Sequence, residues 1–257
     1  MDIVTIIGIV LAIVGVGVGM VLKGVPVTAL NNPAAILIIL VGTVAAVTIA
    51  TPGPQLKKVP KLFGIIFGNN KVMTKEEAIK IMVEFSELTR KEGILALESK
   101  LKSIDEPFIV RGLSLLVDGA DSQYVAEILE EDIMAMETRH ANNAQIFAQG
   151  GMYAPTLGVL GAVIGLIAAL RELDDIEAIG HAISAAFVAT LLGIFTGYVL
   201  WHPFANRLKQ KSKAEVAIKR LIVEGILGIC EGQNPRMLKE RMLTQIAQYE
   251  RTTISKE

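Results

Sequence analysis

The feature that most constrains this chain is a set of four long segments without an Asp, Glu, Lys or Arg side chain. A helix needs about 20 mostly apolar residues to cross the hydrocarbon core of a bilayer. The uncharged segments cover residues 3–22, 34–51, 141–170 and 182–206. A soluble protein can bury one such helix, but four would need a larger core than 257 residues can build. The sequence therefore predicts transmembrane helices at about 3–22, 34–51, 150–170 and 182–203.

Basic residues lie almost entirely on one side of these predicted spans. Of the 25 Lys and Arg residues, 12 lie between residues 53 and 149 and 11 follow Asn206, which leaves Lys23 and Arg171. These last two occupy the short loops after the first and third spans, and the second of those loops is rich in carboxylates. Short loops poor in basic residues face outward, according to the positive-inside rule. We therefore expect both termini and residues 53–149 to lie in the cytoplasm.

The predicted cytoplasmic parts have helix signals and no strand alternation. The signals are a capping box at Thr74–Glu77, a helix start at Pro107 with a stop at Asp118–Gly119, a long helix from Asp121 or Ser122 toward Gly150, and an N-cap with proline at Asn234–Pro235. The sequence thus predicts an all-α polytopic membrane protein with a helical cytoplasmic domain. The predicted parts are 1–52 (spans 1 and 2), 53–149 (cytoplasmic), 150–204 (spans 3 and 4) and 205–257 (C-terminal cytoplasmic helices).

Composition and motifs argue against several classes of protein. The net charge of -1 and the lack of a basic stripe argue against a nucleic-acid partner. Cys230 is the single cysteine, so the chain has neither an internal disulfide nor a cysteine-based zinc site. There is no nucleotide-binding glycine motif, zinc-protease motif or Ser/His/Asp set, so we expect neither an enzyme nor a resident cofactor.

Small and polar residues in the spans leave several interpretations open. Glycines repeat four apart at 15 and 19, 161 and 165, and 193 and 197, which allows close helix packing within one chain or between copies. Pro155 leaves the carbonyl of Gly151 without its helical amide donor, and in lipid that carbonyl needs another partner. We expect a simple kink of the helix at this proline, and the alternative is that the site lines a water-filled pathway. The Thr190 hydroxyl is expected to bond back to its own helix, and the alternative is a polar point on an ion path.

The spans carry no Asp, Glu, Lys or Arg. Proton pumps and ion-coupled transporters normally use such groups within the membrane. If this chain conducts ions, another chain must therefore supply the ionisable group. Otherwise the chain is a scaffold that does not conduct.

Three stretches of the sequence resemble the MotA-type family of flagellar stator proteins. Residues 186–195, followed after seven residues by Pro203, are similar to the family's fourth-span signature. Residues 153–158 resemble its third span, and residues 231–236 its C-terminal cytoplasmic segment. The four spans, the large cytoplasmic insert and the overall length also agree, so the resemblance covers essentially the whole chain.

The resemblance implies a stator subunit of the bacterial flagellar motor. Such chains form a ring-shaped homo-oligomer, a pentamer, around two copies of the single-span protein MotB in the inner membrane. MotB has an essential membrane aspartate and a domain that binds peptidoglycan, which fits the carboxylate missing here. Ion flow between ring and partner becomes torque on the rotor protein FliG, and the ion is translocated rather than held as a cofactor.

The resemblance also assigns roles to particular residues. Arg90 and Glu98 match the charged pair that engages the rotor; residues eight apart share a face of a continuous helix, but Gly93 lies between them. Pro155 and Pro203 match the two prolines tied to conduction and conformational change, and Thr190 matches the pore-facing threonine.

Two departures from sodium-driven relatives indicate the coupling ion. Those relatives carry threonines where this chain has Ala162 and Ala189. Sodium needs several oxygen ligands, and an alanine side chain offers none, so the pathway is of the proton type. Backbone carbonyls remain possible ligands.

Two rival functions share part of this pattern. An ExbB/TolQ-like proton channel that energises a periplasmic or outer-membrane process shares the last two spans and the pentameric plan. Those chains usually have three spans and begin outside, which the four spans and Pro203 contradict. A non-conducting membrane scaffold would leave the fourth-span signature unexplained.

Overall fold

A computed structural model of the chain describes residues 3–68, 73–171, 174–248 and 251. All regular structure in these residues is helical, without a strand, as the sequence predicts. The helices are α1 Ile3–Leu22, α2 Pro33–Ile36, α3 Gly42–Ala50, α4 Gly53–Leu56, α5 Val59–Phe67, α6 Lys75–Glu92, α7 Leu97–Leu101, α8 Pro107–Val117, α9 Ser122–Ala169, α10 Ile176–Phe195, α11 His202–Cys230 and α12 Pro235–Thr244. Wide π-helical turns join α2 to α3 at Leu37–Val41 and α10 to α11 at Thr196–Trp201.

Four helices of the described ranges are long and apolar enough to cross a membrane. They are Ile3–Leu22, Pro33–Ala50, Ser122–Ala169 and Ile176–Cys230. By length and composition they confirm the four predicted spans, although the last two spans are only parts of helices of 48 and 55 residues. The predicted domain boundaries follow membrane surfaces, so they stay a prediction.

The chain divides into two compact units. The first consists of residues 1–70 and 140–210, and the second of residues 71–139 and 211–257. The first unit holds the apolar segments of all four candidate spans. The boundary between residues 139 and 140 falls inside α9, and the boundary between residues 210 and 211 falls inside α11. Each of these helices therefore contributes to both units.

Local signals fix both ends of the second candidate span. Asn32 is the N-cap of α2, and its side-chain oxygen accepts a hydrogen bond from the Ala35 amide at 3.1 Å. Pro33 occupies the first helical position, where its missing amide hydrogen costs nothing. At the other end Thr51 is extended because the helical conformation is disfavoured before Pro52.

The fourth candidate span continues into the C-terminal part without a break. Pro203 would ordinarily disturb a helix, because it lacks an amide hydrogen and its ring meets the carbonyl four residues earlier. Here the wide turn Thr196–Trp201 ends two residues before it, and the His202 amide donates to the Gly197 carbonyl, five residues back. This local widening lets α10 continue as α11.

The second unit is a helical bundle with its own core. Its first helix, α6, begins with the predicted capping box: the Glu77 amide donates to the Thr74 hydroxyl at 3.1 Å, and the Thr74 amide donates to the Glu77 carboxylate at 2.7 Å. The predicted helix from Pro107 and the predicted N-cap Asn234 are also confirmed. The core combines side chains of α6, α7, α8, α9, α11 and α12, and its largest fully buried ones are Ile79, Met82, Leu97, Ile109, Leu113, Leu116, Leu129, Ile133 and Leu221.

The single cysteine lies at the end of α11, in the second unit. Cys230 is half-buried, and burial raises the pKa of its thiol above the ordinary value. The negative charges of Glu231 and Asp121 raise this pKa further. The thiol is therefore protonated at neutral pH and is a poor nucleophile there.

Candidate functional site

The centre of the first unit is a direct backbone contact between α9 and α10. A Cβ added at Gly158 would lie 2.9 Å from the Ala189 carbonyl oxygen and 3.0 Å from the Gly193 Cα. A Cβ added at Gly193 would lie 2.7 Å from the Ala154 carbonyl oxygen. Only glycine fits at either position, so these glycines pack within one chain. The contact with α9 is enough to explain why residue 193 is a glycine, without a contact between copies of the chain.

Pro155 lies on the side of α9 that faces the wide turn of the fourth candidate span. A Cβ at Gly197 would lie 2.8 Å from both Cδ and Cγ of Pro155 and 3.0 Å from the Gly151 carbonyl oxygen. The carbonyl that Pro155 leaves without its amide donor thus faces the methylene of Gly197, a group able to make a weak C–H···O contact. α9 runs from Ser122 to Ala169 through Pro155 as one helix.

Thr190 and its neighbour Ala189 lie in different surroundings. The Thr190 hydroxyl donates to the Ala186 carbonyl at 3.2 Å, as expected from the structural interpretation, and the residue is half-buried. Ala189 is 2 % exposed and packs with Ala35, Ile39 and Ala154. Thr190 therefore has a partly open side, whereas the Ala189 methyl faces the interior of its own chain.

The remaining predicted pathway residues lie nearer the surface of the first unit. Ala162 is half-buried, one residue after Gly161, whose added Cβ would lie 3.4 Å from the Ala189 methyl. Pro203 is exposed just beyond the wide turn. The structure thus brings Pro155, Ala162, Ala189 and Thr190 to the α9–α10 pair. Their roles in ion flow stay predictions.

Sequence reasoning missed Thr43 in α3. The residue is fully buried, and its hydroxyl has no hydrogen-bond partner among the residues that the structure describes. Its neighbour Gly42 faces α9, because a Cβ there would lie 3.1 Å from a methyl of Leu157. Only the sequence Gly42-Thr43 inside an apolar run could have drawn attention to it.

Arg90 and Glu98 lie in the second unit on two different helices. α6 ends at Glu92, Gly93 has a positive φ of 86°, and α7 begins at Leu97 after a 3₁₀ turn. The two residues therefore do not share one continuous helix, and the break lies at Gly93, which takes a conformation that other residues rarely adopt. Arg90 and Glu98 are exposed, without an ion-pair partner in the described part of the chain.

The turn between these two charges also exposes an apolar side chain. Leu95 is 67 % exposed, whereas Ile94 is half-buried against the core of this unit and Leu97 is fully buried in it. The predicted rotor-facing surface therefore combines two unpaired charges with one exposed leucine. The sequence did not indicate that Leu95 would be exposed, because its spacing follows the apolar pattern that predicts buried positions in the neighbouring helices.

Comparison with known proteins places this chain in one family. Residues 100–221 match the family model described as the MotA/TolQ/ExbB proton channel family. The chain is 55% identical over 251 residues to Motility protein A of Bacillus subtilis, covering 98% of this chain and 93% of the relative. It is 39% identical to Motility protein A of Helicobacter pylori, with 96% of each chain covered.

A solved structure agrees with these sequence relatives. The flagellar MotAB stator complex from Bacillus subtilis contains a chain that matches with a TM-score of 0.91 and 54% identity, covering 96% of this chain and 97% of that one. The chain therefore belongs to the MotA/TolQ/ExbB proton channel family, in its branch of MotA-type flagellar motor stator proteins. The resemblance stated from the sequence is confirmed.

Proposed function

We propose that this chain is the stator subunit that forms the ring of a proton-driven flagellar motor. Five copies surround two copies of a MotB-type single-span partner in the bacterial inner membrane, with all termini of the ring subunits in the cytoplasm. The ring converts proton flow into torque on FliG. It acts as a channel rather than an enzyme, and the proton is its only cargo.

The observation that carries this proposal is a set of four spans without a charged side chain in a chain that belongs to a channel family. A proton pathway through the membrane needs a group that can bind and release a proton. This chain has no Asp, Glu, His, Lys or Arg between residues 3 and 22, 34 and 51, 141 and 170, or 182 and 201. A carboxylate on the partner's helix would supply it, and the solved relative is a complex of MotA with MotB.

The surroundings of the α9–α10 pair support a proton as the coupling ion. A sodium ion would require several oxygen ligands in place of its water shell. The Ala189 methyl is buried, and the Thr190 hydroxyl already donates to the Ala186 carbonyl at 3.2 Å. Side chains of this region therefore offer few free oxygen atoms, whereas a proton needs only the partner's carboxylate.

The energy of one proton is sufficient for one step of the ring. A charge that crosses 100 mV releases about 2.3 kcal/mol, several times the thermal energy. In the proposed cycle, protonation of the partner's aspartate removes its charge and changes its preferred contact near Pro155 and Thr190. The ring then steps, and the proton leaves toward the cytoplasm. Pro203, exposed after the wide turn, lies where α10 continues toward the second unit.

Complementation of a stator-deficient strain tests the function. The chain and its partner are expressed together, and swimming speed is measured in sodium-free and sodium-containing medium, with both proteins detected by immunoblot. We expect swimming that a protonophore stops and that sodium leaves unchanged. Absence of swimming with both proteins present would contradict the stator role, and speed that follows sodium would contradict the proton assignment.

Charge reversal tests the rotor-facing surface separately. We expect Arg90→Glu and Glu98→Lys each to reduce swimming speed several-fold without lowering the thermal stability of the purified chain, because both side chains are exposed and unpaired. Lys80→Glu is the matched control, since Lys80 is also exposed on α6. Equal loss of speed in the control would show that the effect is one of overall charge.

A further inference from the structure

The segment after the second candidate span stays with the first unit. After Pro52 the chain forms the short helices α4 and α5. Leu62 and Ile66 of α5 are buried in a cluster with Val47, which lies one turn before the span ends at Ala50. Because Val47 and these two side chains share one cluster, α5 lies level with the end of the span.

Aromatic side chains surround α5 at this level. The Phe63 ring meets the Phe147 ring edge to face with 5.2 Å between centroids, and the Phe67 ring meets the Phe204 ring at 5.5 Å. Trp201 completes the cluster, with its ring centroid 6.0 Å from that of Phe147. Tryptophan is enriched where the hydrocarbon core of a membrane meets the headgroups. The position of Trp201 indicates that α5 lies at the membrane surface.

The exposed side of this segment is strongly basic. Lys57, Lys58 and Lys61 are exposed, and no ion pair involves them in the described part of the chain. The sequence has no Asp or Glu from residue 3 to residue 75. Like charges three and four residues apart repel each other. These three lysines are therefore available to an anionic partner from outside the chain.

We propose that Lys57, Lys58 and Lys61 form a binding surface for the phosphate headgroups of anionic phospholipids. The buried side of α5 holds the lysines at headgroup level, and the exposed spans of the same unit require lipid around them. Each basic side chain near an anionic membrane surface contributes about a fivefold preference for anionic lipid. The surface would make the stator subunit selective for anionic lipids at this end of its spans.

Fluorescence of Trp201 provides a direct test, because it is the only tryptophan in the chain and lies in the cluster that holds α5. The purified full-length chain is reconstituted into vesicles of brominated phosphatidylglycerol or brominated phosphatidylcholine, each diluted with unbrominated phosphatidylcholine. We expect stronger quenching by the brominated phosphatidylglycerol at equal mole fraction. The preference should fall with added salt, and free inorganic phosphate at millimolar concentration should not compete.

Two variants decide whether these lysines carry the preference. In the triple variant Lys57→Gln, Lys58→Gln, Lys61→Gln, both brominated lipids should quench Trp201 equally. The control Lys23→Gln changes a lysine between the first and second spans, and it should keep the wild-type preference. Far-UV circular dichroism confirms that both variants are folded. A preference that persists in the triple variant, an equal loss in the Lys23 variant, or no preference in the wild type would overturn the proposal. None of these outcomes depends on torque generation.

Discussion

The glycines of α1 and those of the α9–α10 pair share a four-residue spacing but have opposite surroundings. A Cβ added at Gly193 would lie 2.7 Å from the Ala154 carbonyl oxygen, and one added at Gly197 would lie 3.0 Å from the Gly151 carbonyl oxygen, both on α9. At Gly15 and Gly19, no atom of the described residues outside the local helix backbone lies within 4 Å of the same position. The α9–α10 contact is complete within one chain, whereas the glycine face of α1 is left uncovered by it.

This difference teaches that small residues at this spacing permit a close contact without determining which partner makes it. In lipid, helix association depends on packing rather than on a hydrophobic driving force, so a glycine matters only where a backbone lies opposite. α1 buries only Met20 within the chain. Its remaining surface must be covered by lipid or by another protein chain, as expected for a subunit of a larger assembly.

The largest expected effect is a leucine in the closed contact. Gly193→Leu should destabilise the chain by about 3 kcal/mol, because the new side chain has to push α9 and α10 apart. The thermal midpoint of the purified full-length chain, followed by circular dichroism, measures this loss. Swimming in the complementation assay should be abolished.

Gly193→Ala provides a graded control for this prediction. Its Cβ alone would lie 2.7 Å from the Ala154 carbonyl oxygen, so a smaller loss in the same direction is expected. A Gly193→Leu chain with the wild-type midpoint would show that the α9–α10 contact is not needed for stability.

The next effect concerns the contact between Gly197 and Pro155. Gly197→Ala should lower stability by about 1–2 kcal/mol, because the new methyl would lie 2.8 Å from two ring carbons of Pro155. Adding Pro155→Ala should restore part of this loss, since it removes the ring. The coupling of the two substitutions is read from the thermal midpoints of the single and double variants. Strictly additive midpoints would contradict this geometry.

Much of the fold could be predicted because local signals decide it. Uncharged length identified the four spans, the Thr74–Glu77 capping box started α6, and Asn234 with Pro235 started α12. The two helix starts depend on residues within one turn, and the spans depend on one uninterrupted run of apolar residues each. The amino-acid sequence contains them directly.

The rest of the site could not be predicted because it depends on contacts between distant segments. The pattern did not show that Gly193 would meet Gly158 rather than a second copy of the chain. The break at Gly93 depends on a positive φ, and Pro203 was compatible with either a helix end or the wide turn that the structure contains. The pathway roles of Thr190 and Ala162 depend on another chain and stay predictions.

A smaller effect, and one of opposite sign, is expected at Thr43. Its buried hydroxyl has no partner among the described residues, and a buried polar group without a partner costs stability. Thr43→Val keeps the shape and should raise the stability of the chain by about 1 kcal/mol. Thermal midpoints of the purified wild type and variant measure the change, with Thr48→Val as control, since the exposed Thr48 hydroxyl donates to the Val44 carbonyl at 2.7 Å. A lower midpoint for Thr43→Val would show that the hydroxyl has a hydrogen-bond partner in the folded chain and would contradict this prediction.

The smallest effect on the single chain is expected in α1, and it decides the comparison. Gly15→Leu and Gly19→Leu should leave the thermal midpoint of the detergent-solubilised monomer unchanged within about 0.5 kcal/mol, because open space surrounds both positions. The same variants are then assembled with the single-span partner, and the complex is analysed by size-exclusion chromatography with light scattering. Loss of the complex with an unchanged monomer would place a protein chain against this face of α1. An unchanged complex would indicate that lipid covers this face of α1. A destabilised monomer would contradict the claim that the α1 glycines, unlike those of α10, have no close contact within the chain.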